Sequence, residues 1–291
     1  MAGAVVVGVD GSENSGRALD WAVAEAKLRG EALLIMYCLP MPIATAPMPD
    51  TLVFPQITDL KKYADGVLAA VAQTARQSAP ELEVRTELAI RAPAAGLLEA
   101  STDASLVVVG TRGLDSLGAM FLGSVSTRVA ANASCPTVVV PSDGGNPHHL
   151  GPIVVGVDGS DHSDAALEFA LRTAALHGSE LIVAYGRGPT EDLHLPEHVE
   201  RAEQAQAEAL IAESLDRAGV SEPNAANVTT RVVTAHPADA LFEAGQNATL
   251  TVVGSRGRGG FQGMLLGSVS QSVLHRAKAP VAIVHAGQET S

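Results

Sequence analysis

Val6-Val7-Gly8-Val9-Asp10-Gly11-Ser12 is repeated without change at residues 154–160. A continuous apolar run that ends in aspartate, glycine and serine predicts a buried strand followed by a turn and a helix N-terminus. The two copies lie 148 positions apart, a period too long for a solenoid repeat and typical of a whole domain. We therefore expect two homologous domains.

A glycine-rich pattern also occurs once in each half. It begins after an apolar run as Gly110-Thr111-Arg112-Gly113 and as Gly254-Ser255-Arg256-Gly257. Nine residues later follow Gly123-Ser124-Val125-Ser126 and Gly267-Ser268-Val269-Ser270. A glycine turn between a strand and a helix is typical of a phosphate site, because free backbone N–H groups and the helix dipole favour an anion. The alternative, a merely flexible glycine-rich loop, is disfavoured by the matched spacing.

Apolar runs alternate with helical patterns through both halves. The predicted strands are residues 5–9, 32–39, 82–90, 106–109 and 137–140, and then 153–157, 180–185, 228–233, 250–253 and 281–284. This alternation predicts two tandem doubly wound, Rossmann-like α/β domains with parallel sheets. We place the domains at residues 1–143 and 151–287, with a polar, turn-rich linker at 144–150. Ligands bind such sheets at the carboxyl ends of the strands, where both glycine loops fall.

Asp10 and Asp158 stand at strand ends beside these loops. Each carboxylate has two possible roles. It can cap the following helix, or it can accept hydrogen bonds from a ribose or an adenine edge.

Composition excludes several classes of function. The net charge is −13 and aromatic residues are 3% of the chain, so we expect neither nucleic acid nor an anionic membrane as a partner. The first ten residues carry no lysine or arginine, and no apolar run reaches 18 residues, so we expect neither a leader nor a membrane span. Cys38 and Cys135 form no Cys-x-x-Cys pair, which favours reduced thiols in a cytoplasmic protein.

Motifs for metal binding and catalysis are weak. His194 and His198 have helical spacing, but Pro196 separates them and a third ligand at suitable spacing is missing. Neither glycine loop has the lysine of a P-loop, and no carboxylate or histidine recurs in both loops as a base. The sequence predicts a phosphate site without evident chemistry.

Together, the Gly-x-x-Gly and Gly-Ser elements and the upstream aspartate resemble the universal stress protein family in its tandem form. The resemblance covers nearly the whole chain. It implies five-stranded parallel sheets of order 3-2-1-4-5, ATP in the cleft with or without Mg²⁺, and either a homodimer or a single chain that mimics one.

The family resemblance also implies a role for individual residues. Asp10 and Asp158 match an aspartate near adenosine, and Cys38 and Gly186 match a small residue against adenine. The phosphate loops are matched by Gly110, Gly113, Gly123, Ser124 and Ser126, and by Gly254, Gly257, Gly267, Ser268 and Ser270. The residues within or beside these motifs are further candidates for the site, namely Arg112, Val125, Arg256, Arg258 and Val269. Where the family usually has Gly-x-Pro after strand three, this chain has Arg91-Ala92-Pro93 and Ala235-His236-Pro237.

The two loops differ in charge. The second contains Arg258 where the first contains Leu114 followed by Asp115, which favours tighter nucleotide binding in the second half. We expect a nucleotide-dependent regulator of stress or dormancy rather than an enzyme. A slow ATPase, and a scaffold that pairs through the last strand of each half, remain alternatives.

Overall fold

A computed structural model describes residues 3–40, 57–111, 122–142, 151–188, 196–220, 227–245, 247–259 and 265–287. The predicted linker at 144–150 lies outside these residues.

The first half alternates strands and helices as the sequence predicts. Its elements in chain order are β1 (Ala4–Val9), α1 (Glu13–Arg29), β2 (Leu33–Cys38), α2 (Ile57–Ser78), β3 (Val84–Ala89), α3 (Pro93–Ala100), β4 (Ala104–Gly110), α4 (Ser124–Asn132) and β5 (Thr137–Val140).

The second half repeats this order. Its elements are β6 (Ile153–Gly156), α5 (Asp161–His177), β7 (Leu181–Gly186), α6 (Glu197–Arg217), β8 (Val228–Val233), α7 (Pro237–Ala244), β9 (Leu250–Gly254), α8 (Ser268–Arg276) and β10 (Val281–Val284). Helix α5 begins at Asp161, four residues before the predicted start at residue 165. The reason is that Ser160 caps it and accepts a hydrogen bond from the backbone N–H of Ser163.

Each half has the strand order 3-2-1-4-5, with every neighbouring pair parallel, so the predicted fold class is confirmed. The two sheets are joined edge to edge, because β5 and β10 pair antiparallel with Val138 opposite Ala282. The result is one ten-stranded sheet of order β3-β2-β1-β4-β5-β10-β9-β6-β7-β8. A scaffold would use the last strand of each half to pair with partners. Here these two strands, β5 and β10, pair with each other within the chain.

Central strands of the sheet are buried on both faces, as their continuous apolar sequence requires. One apolar cluster packs against α1, α2, α5 and α6, and the other packs against α3, α4, α7 and α8. Both clusters extend across the two halves. Among the described residues, no helix is long and apolar enough to span a bilayer.

Helices α1 and α5 meet at the junction between the halves. Glu25 of α1 is almost fully buried, and its carboxylate contacts His177 Nε2 at 2.8 Å and Arg29 Nε at 2.7 Å. The Arg29 guanidinium lies 5.6 Å from the centre of the Phe169 ring in α5. Burial raises the pKa of the Glu25 carboxyl, but the His177 hydrogen bond and the charges of Arg29 and His177 outweigh it and hold this pKa below its usual value.

Candidate functional site

A cavity of about 360 Å³ opens at the carboxyl ends of β1, β2 and β4 and at the N-terminus of α4. Ligands bind doubly wound sheets at this position. Seven of the residues predicted for a site line it: Asp10, Cys38, Gly110, Gly123, Ser124, Val125 and Ser126. The sequence analysis did not predict the other residues that line the cavity. These are Gly8, Val9, Ser15, Met36, Tyr37, Pro40, Pro93, Leu97 and Val109.

The N-terminus of α4 faces this cavity without a side-chain cap. Helix α1 is capped by Ser12, whose hydroxyl accepts a hydrogen bond from the Ser15 N–H at 3.2 Å. Helix α4 instead begins after Gly123, which has no side chain to offer, and its first residue Ser124 is exposed. The first N–H groups of α4 and its dipole are thus available to an anion. Helix α8 begins in the same way after Gly267, with Ser268 and Val269 in its first turn.

The buried serine of each loop holds the loop ends together. The Ser126 hydroxyl donates to the carbonyl of Gly110 at 2.6 Å, and the N–H of Gly123 donates to the carbonyl of Thr111 at 2.7 Å. In the second half, Ser270 and Gly267 make the matching bonds to Gly254 and Ser255, at 2.7 and 2.8 Å. Family resemblance placed Ser126 and Ser270 near phosphates, and the structure shows their hydroxyl protons directed to the backbone.

Gly110 and Gly254 lie where a strand meets a helix end. A Cβ on Gly110 would lie 2.8 Å from the carbonyl oxygen of Asn14 in α1, and one on Gly254 would lie 2.7 Å from that of His162 in α5. The absence of a side chain is therefore required by close backbone packing.

Asp10 and Asp158 do not cap the helices, because Ser12 and Ser160 do so. One carboxylate oxygen of Asp10 accepts a hydrogen bond from the Ser12 N–H at 2.9 Å while the residue lines the cavity. Asp158 accepts from both the N–H and the hydroxyl of Ser160, at 3.0 and 2.6 Å. The intervening glycines, Gly11 and Gly159, have φ angles of +85° and +73°, a conformation that glycine adopts without strain.

Part of the cavity wall is apolar, with Met36, Leu97 and Cys38 among the lining residues. Burial and the charge of Glu87 raise the pKa of the Cys38 thiol to about 11, against a smaller opposing effect of Arg91. The thiol is therefore protonated and contributes surface rather than nucleophilic reactivity. Burial, Tyr63 and Asp10 raise the pKa of neighbouring Tyr37.

In the second half, Gly186 takes the place of Cys38 and lies against the start of α7. A Cβ on Gly186 would lie 2.6 Å from Cα of Pro237. The residue before this proline, His236, caps α7 with its Nδ1 atom, which accepts from the Ala238 N–H at 3.4 Å.

The glycine loop of the second half contacts its own aspartate. The backbone N–H of Arg258 donates to Asp158 Oδ2 at 3.0 Å. Gly257 lies so close to this carboxylate that a Cβ would overlap Oδ2, and a Cβ on Gly159 would overlap the Arg258 guanidinium. In the first loop, Arg112 and Gly113 lie outside the described residues.

A histidine pair near the second loop was not predicted. The Nδ1 atom of His162 accepts from the Ala286 N–H at 2.8 Å and lies 3.1 Å from the Ser255 hydroxyl oxygen. The Nε2 atom of His285 lies 2.9 Å from the Ala130 carbonyl of the first half. Burial lowers the pKa of both histidines, and the nearby charge of Arg256 lowers them further.

No group of three or more histidine, cysteine or acidic side chains suited to a metal ion occurs in the described ranges. His198 lies on α6, and its predicted partner His194 lies outside the described residues.

Comparisons of the sequence and of the fold with known proteins point to the same family. A model described as the universal stress protein family matches residues 1–141 and again residues 150–285. The chain is 37% identical over 289 residues to the universal stress protein Rv2005c of Mycobacterium tuberculosis, with 96% of each chain covered. Its fold is similar to that of a universal stress protein from Archaeoglobus fulgidus, with a TM-score of 0.71, 23% identity and 98% of each chain covered. A solved universal stress protein in complex with cAMP aligns with 48% of this chain and 99% of its own, at 34% identity and a TM-score of 0.38.

Proposed function

The chain belongs to the universal stress protein family, and on that premise we propose that it is an ATP-binding regulator of stress or dormancy. Nucleotide occupancy sets its conformation or its choice of protein partner. The two cysteines are unpaired thiols, which supports a site of action in the cytosol.

The observation that carries this proposal is the cavity of the first half. Its volume of about 360 Å³ falls within the usual range for small-molecule sites. Its lining includes the uncapped N-terminus of α4, which suits phosphates, and the carboxylate of Asp10, which can accept hydrogen bonds from ribose hydroxyls. The apolar wall of Met36, Cys38 and Leu97 suits the face of a purine.

Binding without turnover fits the residues of this cavity better than hydrolysis does. Among the described lining residues, Asp10 is the one carboxylate, and there is no lysine or histidine. Attack on a phosphate requires a group that orients or deprotonates water near the terminal phosphorus, whereas Asp10 lies at the end of β1. A Mg²⁺ ion that enters with the nucleotide would be held chiefly by its phosphates. We therefore propose a binding protein that turns over ATP slowly at most.

Ser124→Asp tests the placement of the phosphates. An aspartate at the first position of α4 favours the helix dipole, so folding is retained, but it puts a negative charge where phosphates are expected. We expect the affinity of the first half for ATP in titration calorimetry to fall roughly tenfold or more.

Asn132→Asp is the matched control, because it adds the same charge at the far, exposed end of α4. Equal ATP affinities for the two variants would contradict the assignment.

A further inference from the structure

We propose that Arg258 is a specificity-determining residue that closes the second half to uncharged nucleosides and admits ligands that carry phosphates. This inference rests on the proposed function, since it concerns the second copy of the same site.

The position of the guanidinium carries the inference. A Cβ on Gly159 would lie 3.1 Å from Cζ and 3.4 Å from Nε of Arg258, so this side chain covers the turn after β6. At the equivalent turn of the first half, the nearest described side chains belong to helix α2. A Cβ on Gly11 would meet Val67 at 3.4 Å and the Tyr63 hydroxyl at 3.5 Å, both on α2. In the second half, the side chain that covers this turn comes from the glycine loop itself.

The carboxylate of Asp158 is engaged by the same loop. Its Oδ1 atom accepts two hydrogen bonds from Ser160, and its Oδ2 atom accepts the backbone N–H of Arg258. The carboxylate keeps one acceptor position, on Oδ2, for a ribose hydroxyl. Because the Arg258 side chain lies over the adjoining turn, a ribose that reaches this position must displace the guanidinium.

A ligand that carries phosphate compensates for the contacts that Arg258 loses when it is displaced. A guanidinium is charged at all accessible pH values and pairs with phosphate through two parallel hydrogen bonds. Arg258 and Arg256 are both exposed in this loop, so a polyphosphate offers them new partners as it enters. Adenosine offers none, and the guanidinium stays over Gly159.

The sequence alone favoured the second half as the tighter site because of the positive charge of Arg258. The structure places that charge over the turn that the ligand must reach, and this contact leads us to reverse the order. Adenosine binds the first half, whereas ATP binds both halves and fills the first half before the second.

Equilibrium dialysis of adenosine and of ATP against wild type and Arg258→Ala tests the proposal. At adenosine concentrations that fill the first half, we expect wild type to bind about one molecule per chain and Arg258→Ala to approach two. For ATP, we expect the weaker of two sites to lose roughly tenfold in affinity in the variant, because it loses a cationic partner.

Arg201→Ala is the matched control. It removes an exposed arginine of the second half whose ion pair with Glu197 spans 3.7 Å, and we expect it to behave as wild type. Arg258 is exposed, and circular dichroism is expected to show an unchanged fold in its variant.

An unchanged adenosine count in Arg258→Ala would overturn this inference while leaving the proposed function intact. Failure of the wild type to bind either ligand would overturn both.

Discussion

Gly110 shows how one missing side chain determines the packing next to the cavity. The end of β4 lies against the first turn of α1 so closely that a Cβ would lie 2.8 Å from the carbonyl oxygen of Asn14. Backbone atoms cannot move aside as a flexible side chain can, so the two elements must separate if a methyl group is added.

We expect Gly110→Ala to lower the free energy of unfolding by about 1–3 kcal/mol, the usual cost of overpacking. Urea denaturation measures this. Gly16→Ala is the control, because Gly16 lies inside α1 and no described residue comes within 4 Å of the added Cβ. There, alanine is expected to stabilise by about 0.5–1 kcal/mol through its helix propensity. Destabilisation of equal size in both variants would contradict the account.

For single residues, the sequence pattern drew attention to Gly110 and Gly254 through the phosphate binding that it predicts for them. The helix contact of Gly110 depends on how β4 and α1 pack, which no local pattern contains. The pattern did locate Asp10 and Gly123 beside one cavity, because both stand at strand or helix ends of a parallel sheet. Met36 and Leu97 were missed as lining residues, since their apolar side chains are indistinguishable in sequence from core positions.

At the scale of elements, the contact between α1 and α5 depends on a buried ion pair. Glu25 joins Arg29 of its own helix to His177 of the other half. The side chains of Arg29 and Glu25 are both largely buried. A substitution that deletes one of the two charges therefore leaves the other charge buried without its partner.

We expect Glu25→Ala to lower the free energy of unfolding by about 3–5 kcal/mol in chemical denaturation. Glu13→Ala is the control on the same helix, since Glu13 pairs with Arg17 in an exposed i,i+4 contact and its loss is expected to cost about 0.5 kcal/mol or less. Similar values for the two variants would show that the junction does not depend on this pair.

The sequence predicted every strand of the sheet but not the junction between its halves. Strands such as β5 and β10 are recognisable because they are continuous apolar runs. Their antiparallel pairing, with Val138 opposite Ala282, arises from the shape of two complete domains and has no local signature.

At the scale of the whole molecule, stability is expected to depend on pH. The pKa values of His162 and His285 are lowered by burial, so the folded state binds fewer protons than the unfolded state near their usual pKa. Their contribution to stability is therefore fully present above about pH 6.5 and is lost below it, as the pH falls through the lower pKa values of the folded state. The lowered pKa of Glu25 adds a further loss at more acidic pH, because its carboxylate becomes protonated.

We expect the melting temperature to decrease between pH 7.5 and pH 5, and His162→Asn to reduce this decrease. Asparagine is the residue at the equivalent position of the first half, Asn14, and it carries no titrating group. The environment of His162 includes Arg256, Asp158 and Asp161, whose charges are unaffected by the substitution. His198→Asn, on the exposed face of α6, is the control in differential scanning calorimetry. A decrease of wild-type size in His162→Asn would contradict the assignment.

We propose above that the cavity between Asp10 and the N-terminus of α4 holds an adenine nucleotide. The most direct test is to denature freshly purified protein, without added nucleotide, and to identify the released small molecules by mass spectrometry. We predict ATP at about one molecule per chain in wild type, and a loss of that molecule in Ser124→Asp but not in Asn132→Asp. Wild-type protein that releases no nucleotide, and that also produces no heat when titrated with ATP, would contradict the claim.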